Sequence, residues 1–351
     1  MTVLFDGRAS IIGAGPWNTS VIGPWEETSW WAPDNVATPA RAPRRCTLVP
    51  DPLGIKGQVL RSALLNADGA ALAGLPTSRR SELSQTGVLQ AAGSTYWTKT
   101  DTLIQSPWPP ELNPGIASTP TTFWQIHDTL DAGDTGRGPV FEFLVDHDEW
   151  ILESRSNLSA ASFVGSVSGT VLTVTTMVGG ALVVGQKLVG AGVTAGTTIA
   201  SFGTGNGTNN GGTYNLSASS TVGGGTAMTS ADETSVLRKI VSGPVSEILD
   251  EWQSWVVKIT WSFLPGAGSI TVWRNGRRIF EETGQKNCSR DALGGFTTVG
   301  TYCPVNWPTV NVVDRVSYST GMVIGDAAET FLSFTGAAEL ERVTPVRMAA
   351  A

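Results

Sequence analysis

Charge is scarce in this chain. Asp, Glu, Lys and Arg make up 15% of its 351 residues, and the formal net charge is −7. No long basic run offsets that balance, which excludes wholesale nucleic-acid binding. An acidic polymer would need a locally basic groove. Histidine is rarer, with two residues, and cysteine contributes three: Cys46, Cys288 and Cys303. The cysteines form no CxxC pair and no metal-ligand pattern, and their odd number excludes a full disulfide framework. A Cys288–Cys303 pairing stays open, and neither a metal nor a cofactor is expected. Long apolar runs are missing too. The opening Met1-Thr-Val-Leu-Phe-Asp-Gly-Arg lacks a basic region ahead of an apolar one, so no signal peptide and no membrane span are expected.

What the chain has instead is glycine (41) and tryptophan (13), with β-branched residues in short runs between turn signals. That combination points to an all-β protein with many turns and an aromatic surface. Residues 1–50, rich in Gly, Pro and Trp, are expected to pack on or extend a larger β domain built from 51–159 and 231–330. Within it Thr95-Tyr-Trp-Thr-Lys-Thr, Thr121-Thr-Phe-Trp-Gln-Ile-His and Pro139-Val-Phe-Glu-Phe-Leu-Val read as strands. Asp146-His-Asp-Glu reads as a hairpin turn in preference to a cation loop, and Asn275-Gly276 as a second hairpin turn. Residues 331–351 are expected to be a C-terminal tail.

From Ala160 to Ser230 the composition changes abruptly: Lys187 is the only charged side chain. Evenly spaced apolar runs among Gly, Thr, Ser and Val predict a small folded β-module over 160–230 and not a linker. Three phrases stand out: Gly169-Thr-Val-Leu-Thr-Val, Val184-Gly-Gln-Lys-Leu-Val-Gly-Ala-Gly-Val-Thr-Ala-Gly-Thr-Thr-Ile and Gly212-Thr-Tyr-Asn-Leu-Ser. They resemble a small β-domain of bacteriophage tail-fibre and other virion proteins, which is inserted into loops of unrelated hosts. The resemblance implies a fibre, spike or decoration protein on a virion surface, a homo-oligomer among other virion proteins, released by host lysis.

In the strand Phe123-Trp-Gln-Ile-His127, alternation places Phe123, Gln125 and His127 on one face and Trp124 and Ile126 on the other, toward the core. An amide beside an imidazole is a plausible chemical pair; a surface-facing or core-satisfied histidine is the plainer alternative. Two further phrases accompany it, Arg80-Ser-Glu-Leu83 and Gly300-Thr-Tyr302. Together the three resemble the signature strands of alginate lyases and related polyuronate lyases, which are concanavalin A-like β-jelly rolls. The third departs from the pattern: Thr298 and Pro304 stand where those lyases carry a lysine and a glutamine.

The resemblance implies β-elimination on an acidic polysaccharide. Arg80 and Gln125 would neutralise the sugar carboxylate and so acidify the neighbouring C–H. His127 and Tyr302 would serve as base and acid. Glu82, Trp97, Arg137 and Thr298 would contact substrate. Each residue also has a structural reading: Arg80 and Glu82 as an ion pair along one strand, Tyr302 as a core tyrosine with its hydroxyl at the edge. At the level of the whole chain the alternatives are an inert structural virion protein and a bacterial polyuronate lyase with an appended binding module.

Overall fold

Our computed structural model describes residues 3–8, 25–27, 46–64, 79–108, 120–129, 138–156, 160–207, 211–231, 236–263, 266–289, 293–303 and 314–340. Two antiparallel sheets face each other across an apolar interior. One has seven strands, in spatial order β14 (Val236–Pro244), β9 (Glu149–Ser156), β8 (Phe141–Asp146), β7 (Thr121–His127), β18 (Gly295–Cys303), β5 (Arg79–Gln90) and β2 (Trp25–Glu27). The other has nine. Its main path is β17 (Arg277–Gln285), β16 (Gly268–Arg274), β15 (Gln253–Thr260), β6 (Thr95–Ile104), β19 (Arg315–Ser319), β4 (Gln58–Leu64) and β3 (Cys46–Pro50). Off that path β20 (Gly321–Gly325) pairs with both β6 and β1 (Val3–Arg8). Sequence neighbours such as β18 and β19 lie in different sheets, so the chain crosses repeatedly between layers. The result is an all-β jelly-roll sandwich.

Alternation builds the interior. Leu83, Trp124, Ile126, Phe141, Phe143, Leu152 and Val299 of the seven-stranded sheet meet Leu60, Trp255, Val257, Ile259, Val272 and Ile324 of the other in one buried cluster. Aromatic contacts cross the layers: the Phe143 and Trp255 rings are 4.6 Å apart and those of Trp150 and Trp255 5.6 Å. A buried cation also bridges them. Arg315 of β19 donates to Thr121 Oγ1 of β7, and its guanidinium lies over Trp108. Asn275 and Gly276, at φ 50° and 79°, close the β16–β17 hairpin in the left-handed turn that Asn-Gly favours.

Some expectations need correction. Phe123 does not share a face with Gln125. The ladder shifts register between Thr122 and Trp124, and this bulge turns Phe123 inward, against Trp108 and Phe143. Cys288 and Cys303 sit in different apolar clusters and are not joined to each other. The segment expected to begin a tail instead opens with a short helix, α1 (Phe331–Thr335). Thr330 caps it in a reciprocal box with Ser333.

Residues 160–231 form a separate four-stranded sheet. Its two long strands, β10 (Ala160–Gly180) and β13 (Gly212–Ala231), pair along most of their length, while β11 (Lys187–Val189) and β12 (Ile199–Phe202) also pair with β13. Phe163, Leu172, Leu188, Tyr214, Leu216 and Met228 make a cluster of their own. Gln186 fastens it: Oε1 accepts from Val183 N and Ser230 Oγ, and Nε2 donates to Ala181 O.

Two stability outcomes follow. Trp124→Ala empties a wholly enclosed site and should cost about 3–5 kcal/mol in urea unfolding. Gln186→Leu strands three partners, two of them buried, and should cost roughly 1–3 kcal/mol. That loss should fall on the 160–231 sheet, seen as faster amide exchange there with the main sandwich unchanged.

Candidate functional site

The three signature phrases meet in the middle of the seven-stranded sheet, where β18 lies between β5 and β7. Tyr302 is the register partner of Arg80 on one side and of Thr122 on the other. Gly300 is opposite Glu82, and Thr298 lies between Ser84 and Gln125. Because direct partners share a face, Glu82, Ser84, Thr298, Tyr302, Thr122 and Gln125 are all assigned to the side away from the sandwich interior.

The closest polar contact is between two of the predicted residues. Gln125 Nε2 donates to Glu82 Oε1 at 2.8 Å, and both side chains are buried, at 3% and 0% exposure. Gln125 Oε1, also enclosed, has no hydrogen-bond partner among the described residues. Thr298, at 2% exposure, bonds Ser84 Oγ through its hydroxyl. Gly300 is required where it stands. Its φ is +147°, and a Cβ would lie 2.3 Å from Ser81 O and 2.6 Å from Glu82 Cα.

The register separates the two proton-transfer candidates. His127 pairs with Phe296, its ring stacked on that phenyl at 5.5 Å and its Nδ1 2.9 Å from Asp128 O. Phe296 and Tyr302 are six steps apart along β18, roughly 20 Å at about 3.3 Å per residue. His127 and Tyr302 therefore occupy opposite ends of the same strand pair, both partly exposed, and do not surround one sugar ring.

Trp97 is not in the group. It lies on the nine-stranded sheet, stacked on Trp273 at 5.3 Å, under Phe334 of α1 and beside Lys258. A cluster of Trp97, Val256, Trp273, Phe331 and Phe334 buries it to 3% exposure. It is a packing residue; helix α1 covers the face it would have offered. Glu82 is enclosed and engaged by Gln125, so it is placed to position that amide and not to touch substrate. Arg137 lies outside the described residues, and of Arg80 only the backbone is described.

Sequence reasoning missed the charged residues beside this centre. The row Ser84–Thr298–Gln125 continues through Glu142 of β8 and Glu153 of β9 to Lys239 of β14. Six strands thus present six polar side chains in line across the sheet. Glu142 Oε2 accepts from Thr122 Oγ1 at 2.9 Å, and its Oε1 is 3.9 Å from Arg155 Nη2. Burial, with Glu153 and Glu82 nearby, pushes the Glu142 carboxyl up from its ordinary 4.5 to about 7, against the pull of Thr122 and Arg155. Burial also raises Glu153, with Asp146 adding to it and Arg155 and Lys239 opposing. The signal was present: Glu142 is the one polar residue inside the apolar run Val140-Phe-Glu-Phe-Leu-Val145.

With this geometry in hand, comparison with known proteins fixes the class. A family model described as polysaccharide lyase matches residues 29–321, and the chain belongs to that family. No curated protein matches it. Among solved structures it is similar to an endo-β-1,4-glucuronan lyase from the fungus Trichoderma reesei, at 12% identity and TM-score 0.46, covering 80% of this chain and 87% of that one. It is also similar to an alginate lyase from Pseudomonas aeruginosa, at 12% identity and TM-score 0.36, covering 82% and 87%. The catalytic domain of a glycoside hydrolase family 131 protein from Coprinopsis cinerea matches at 10% identity and TM-score 0.44, covering 94% and 97%. Likenesses this remote pass no activity to this chain.

Two outcomes test the site as built. Gly300→Ala forces the strand away from Glu82 and should cost about 1–3 kcal/mol by denaturant unfolding. The second concerns pH. Glu142 holds its proton more tightly folded than unfolded, so its stabilising contribution is complete below pH 4.5 and is lost as pH rises through about 7. Glu142→Gln should abolish that loss: relative to the variant, the wild type should weaken by roughly 3 kcal/mol between pH 4.5 and 8. A constant difference across that range would contradict the assignment.

Proposed function

We propose that this chain is a virion protein whose lyase-family jelly roll binds an acidic host-surface polysaccharide and cleaves it by β-elimination. The observation that carries the reading is the register of β5, β18 and β7, which sets Arg80 opposite Tyr302 and brings Gln125 onto the same face. In this reading Arg80 and the Gln125 amide receive the uronate carboxylate and stabilise the charge that develops when the C5 proton leaves. Since His127 is distant along the strands, Tyr302 takes that proton and returns one to the departing glycosidic oxygen. A free phenol, with a pKa of about 10, is a weak base, so this reading assigns to Arg80, the register partner of Tyr302, the role of favouring the phenolate. His127 meets a different part of the polymer.

The virion assignment rests on the likeness of the 160–230 segment to inserted virion β-domains, and its separate sheet and separate apolar cluster accord with an inserted module. We place the protein, as a homo-oligomer with other virion proteins, on the particle surface. A second reading, an inert structural component, draws support from the burial of Glu82, Gln125 and Thr298, which closes the middle of the face.

Incubation with alginate, glucuronan and host capsule, followed by ultraviolet absorbance of the unsaturated product, distinguishes the two. Lyase action gives rising absorbance with at least one polymer. Tyr302→Phe should then lower the rate by about a hundredfold or more, and His127→Ala should affect it less. No signal with any polymer leaves the inert reading. Co-sedimentation with particles tests the virion assignment separately.

A further inference from the structure

The Gln125 amide is held at one end only. Its nitrogen donates to Glu82, whereas its enclosed oxygen lacks a donor among the described residues. The next side chain in the row is Glu142, its direct register partner. As a carboxylate Glu142 offers nothing to an amide oxygen; as a carboxylic acid it carries one O–H. Its Oε2 already accepts from Thr122, which leaves Oε1 to bear the proton. We propose that Glu142 is a positioning residue that, in its protonated form, donates to Gln125 Oε1 and locks the amide with its nitrogen on Glu82.

The chain of donors then runs one way, from Glu142 O–H to Gln125 Oε1 and from Gln125 Nε2 to Glu82 Oε1. An amide rotated half a turn would set its oxygen against Glu82 and its nitrogen against an acid proton, and would lose both bonds. The surroundings favour the acid. Glu82 approaches from β5 and Glu153 from β9, while Asp146 and Glu149 lie further along the same face. Opposing them are Arg155 of β9, 3.9 Å away, and Lys239 of β14, which is engaged by Glu149. From β7, His127 lies two residues beyond Gln125 on the same side. Burial of Glu142 penalises its charge as well.

For an anionic polymer this is a gate, and in that step the inference rests on the polyuronate reading above. With Glu142 neutral, Gln125 is fixed and the face carries one negative charge fewer. With Glu142 ionised, the amide loses its lock and three carboxylates line the row and its margin, repelling an acidic chain.

The test has two arms, and the first needs no polysaccharide. Heteronuclear NMR of the glutamine side-chain amides, with the Gln125 peak assigned by its loss in Gln125→Ala, should show a titration midpoint near pH 7 in the wild type. In Glu142→Gln that midpoint should vanish. A midpoint that persists in that variant, or a wild-type Gln125 peak indifferent to pH, overturns the proposal. Should Glu142→Gln not fold, Glu153→Gln serves: removing a neighbouring negative charge should shift the midpoint to lower pH, and an unmoved midpoint is equally fatal. In the second arm, glucuronan affinity at constant ionic strength should fall about tenfold from pH 6 to pH 8 in the wild type, and stay level in Glu142→Gln. No glucuronan binding at any pH, with the Gln125 titration intact, counts against the polyuronate reading and leaves the lock standing.

Discussion

The outer face of the seven-stranded sheet is organised by one hydrogen bond, from the Gln125 amide to the Glu82 carboxylate. Glu82 is wholly enclosed, and a carboxylate removed from water is costly unless donors replace the lost solvent. The donor comes from β7, two strands away, across the intervening β18. That reach is possible because the residue between them is Gly300, whose missing side chain leaves room for the Glu82 backbone and stem. The glycine, the glutamate and the glutamine of the three phrases thus answer one steric and electrostatic requirement. Tyr302 and Arg80 sit one alternation further along the same strands.

Much of this was legible from residue order alone, and the failures have local causes. Alternation in Phe123–His127 placed Trp124 and Ile126 in the interior and Gln125 on the far side, as the structure has them. Phe123 escaped because a bulge inserts a residue without leaving a mark in the hydrophobic pattern; its ring simply follows the displaced backbone inward. Trp97 misled for a different reason. Period-two alternation assigns a side chain to a face but does not say which sheet the strand joins, and β6 joins the other one. Nor does it show that Phe331 and Phe334, far along the chain, cover that face. The separation of His127 from Tyr302 is likewise a matter of register, which three short phrases do not encode. Asn275-Gly276, in contrast, carries its turn in its own backbone preference and was read directly.

The 160–231 sheet solves its folding problem differently from the sandwich. With Lys187 as its only charged residue up to Ser230, it relies on two long paired strands, a compact apolar cluster and the hydrogen bonds of the Gln186 side chain. The main sandwich buries Arg315 between its layers and lines up Glu142 and Glu153 in the polar row, where burial and mutual repulsion push the Glu142 carboxyl up to about 7. Such a row is a poor way to stabilise a sheet and a good way to make a face whose charge depends on its surroundings.

The central claim is that this polar face, running from Tyr302 and Gln125 to Glu142, is where the chain meets an acidic polysaccharide. Amide hydrogen exchange with and without a saturating uronic-acid polymer that the protein binds tests it most directly. Protection concentrated in β5, β7, β18 and β8 is the expected result. Protection confined to the nine-stranded sheet or to residues 160–231, with those four strands unchanged, would contradict it.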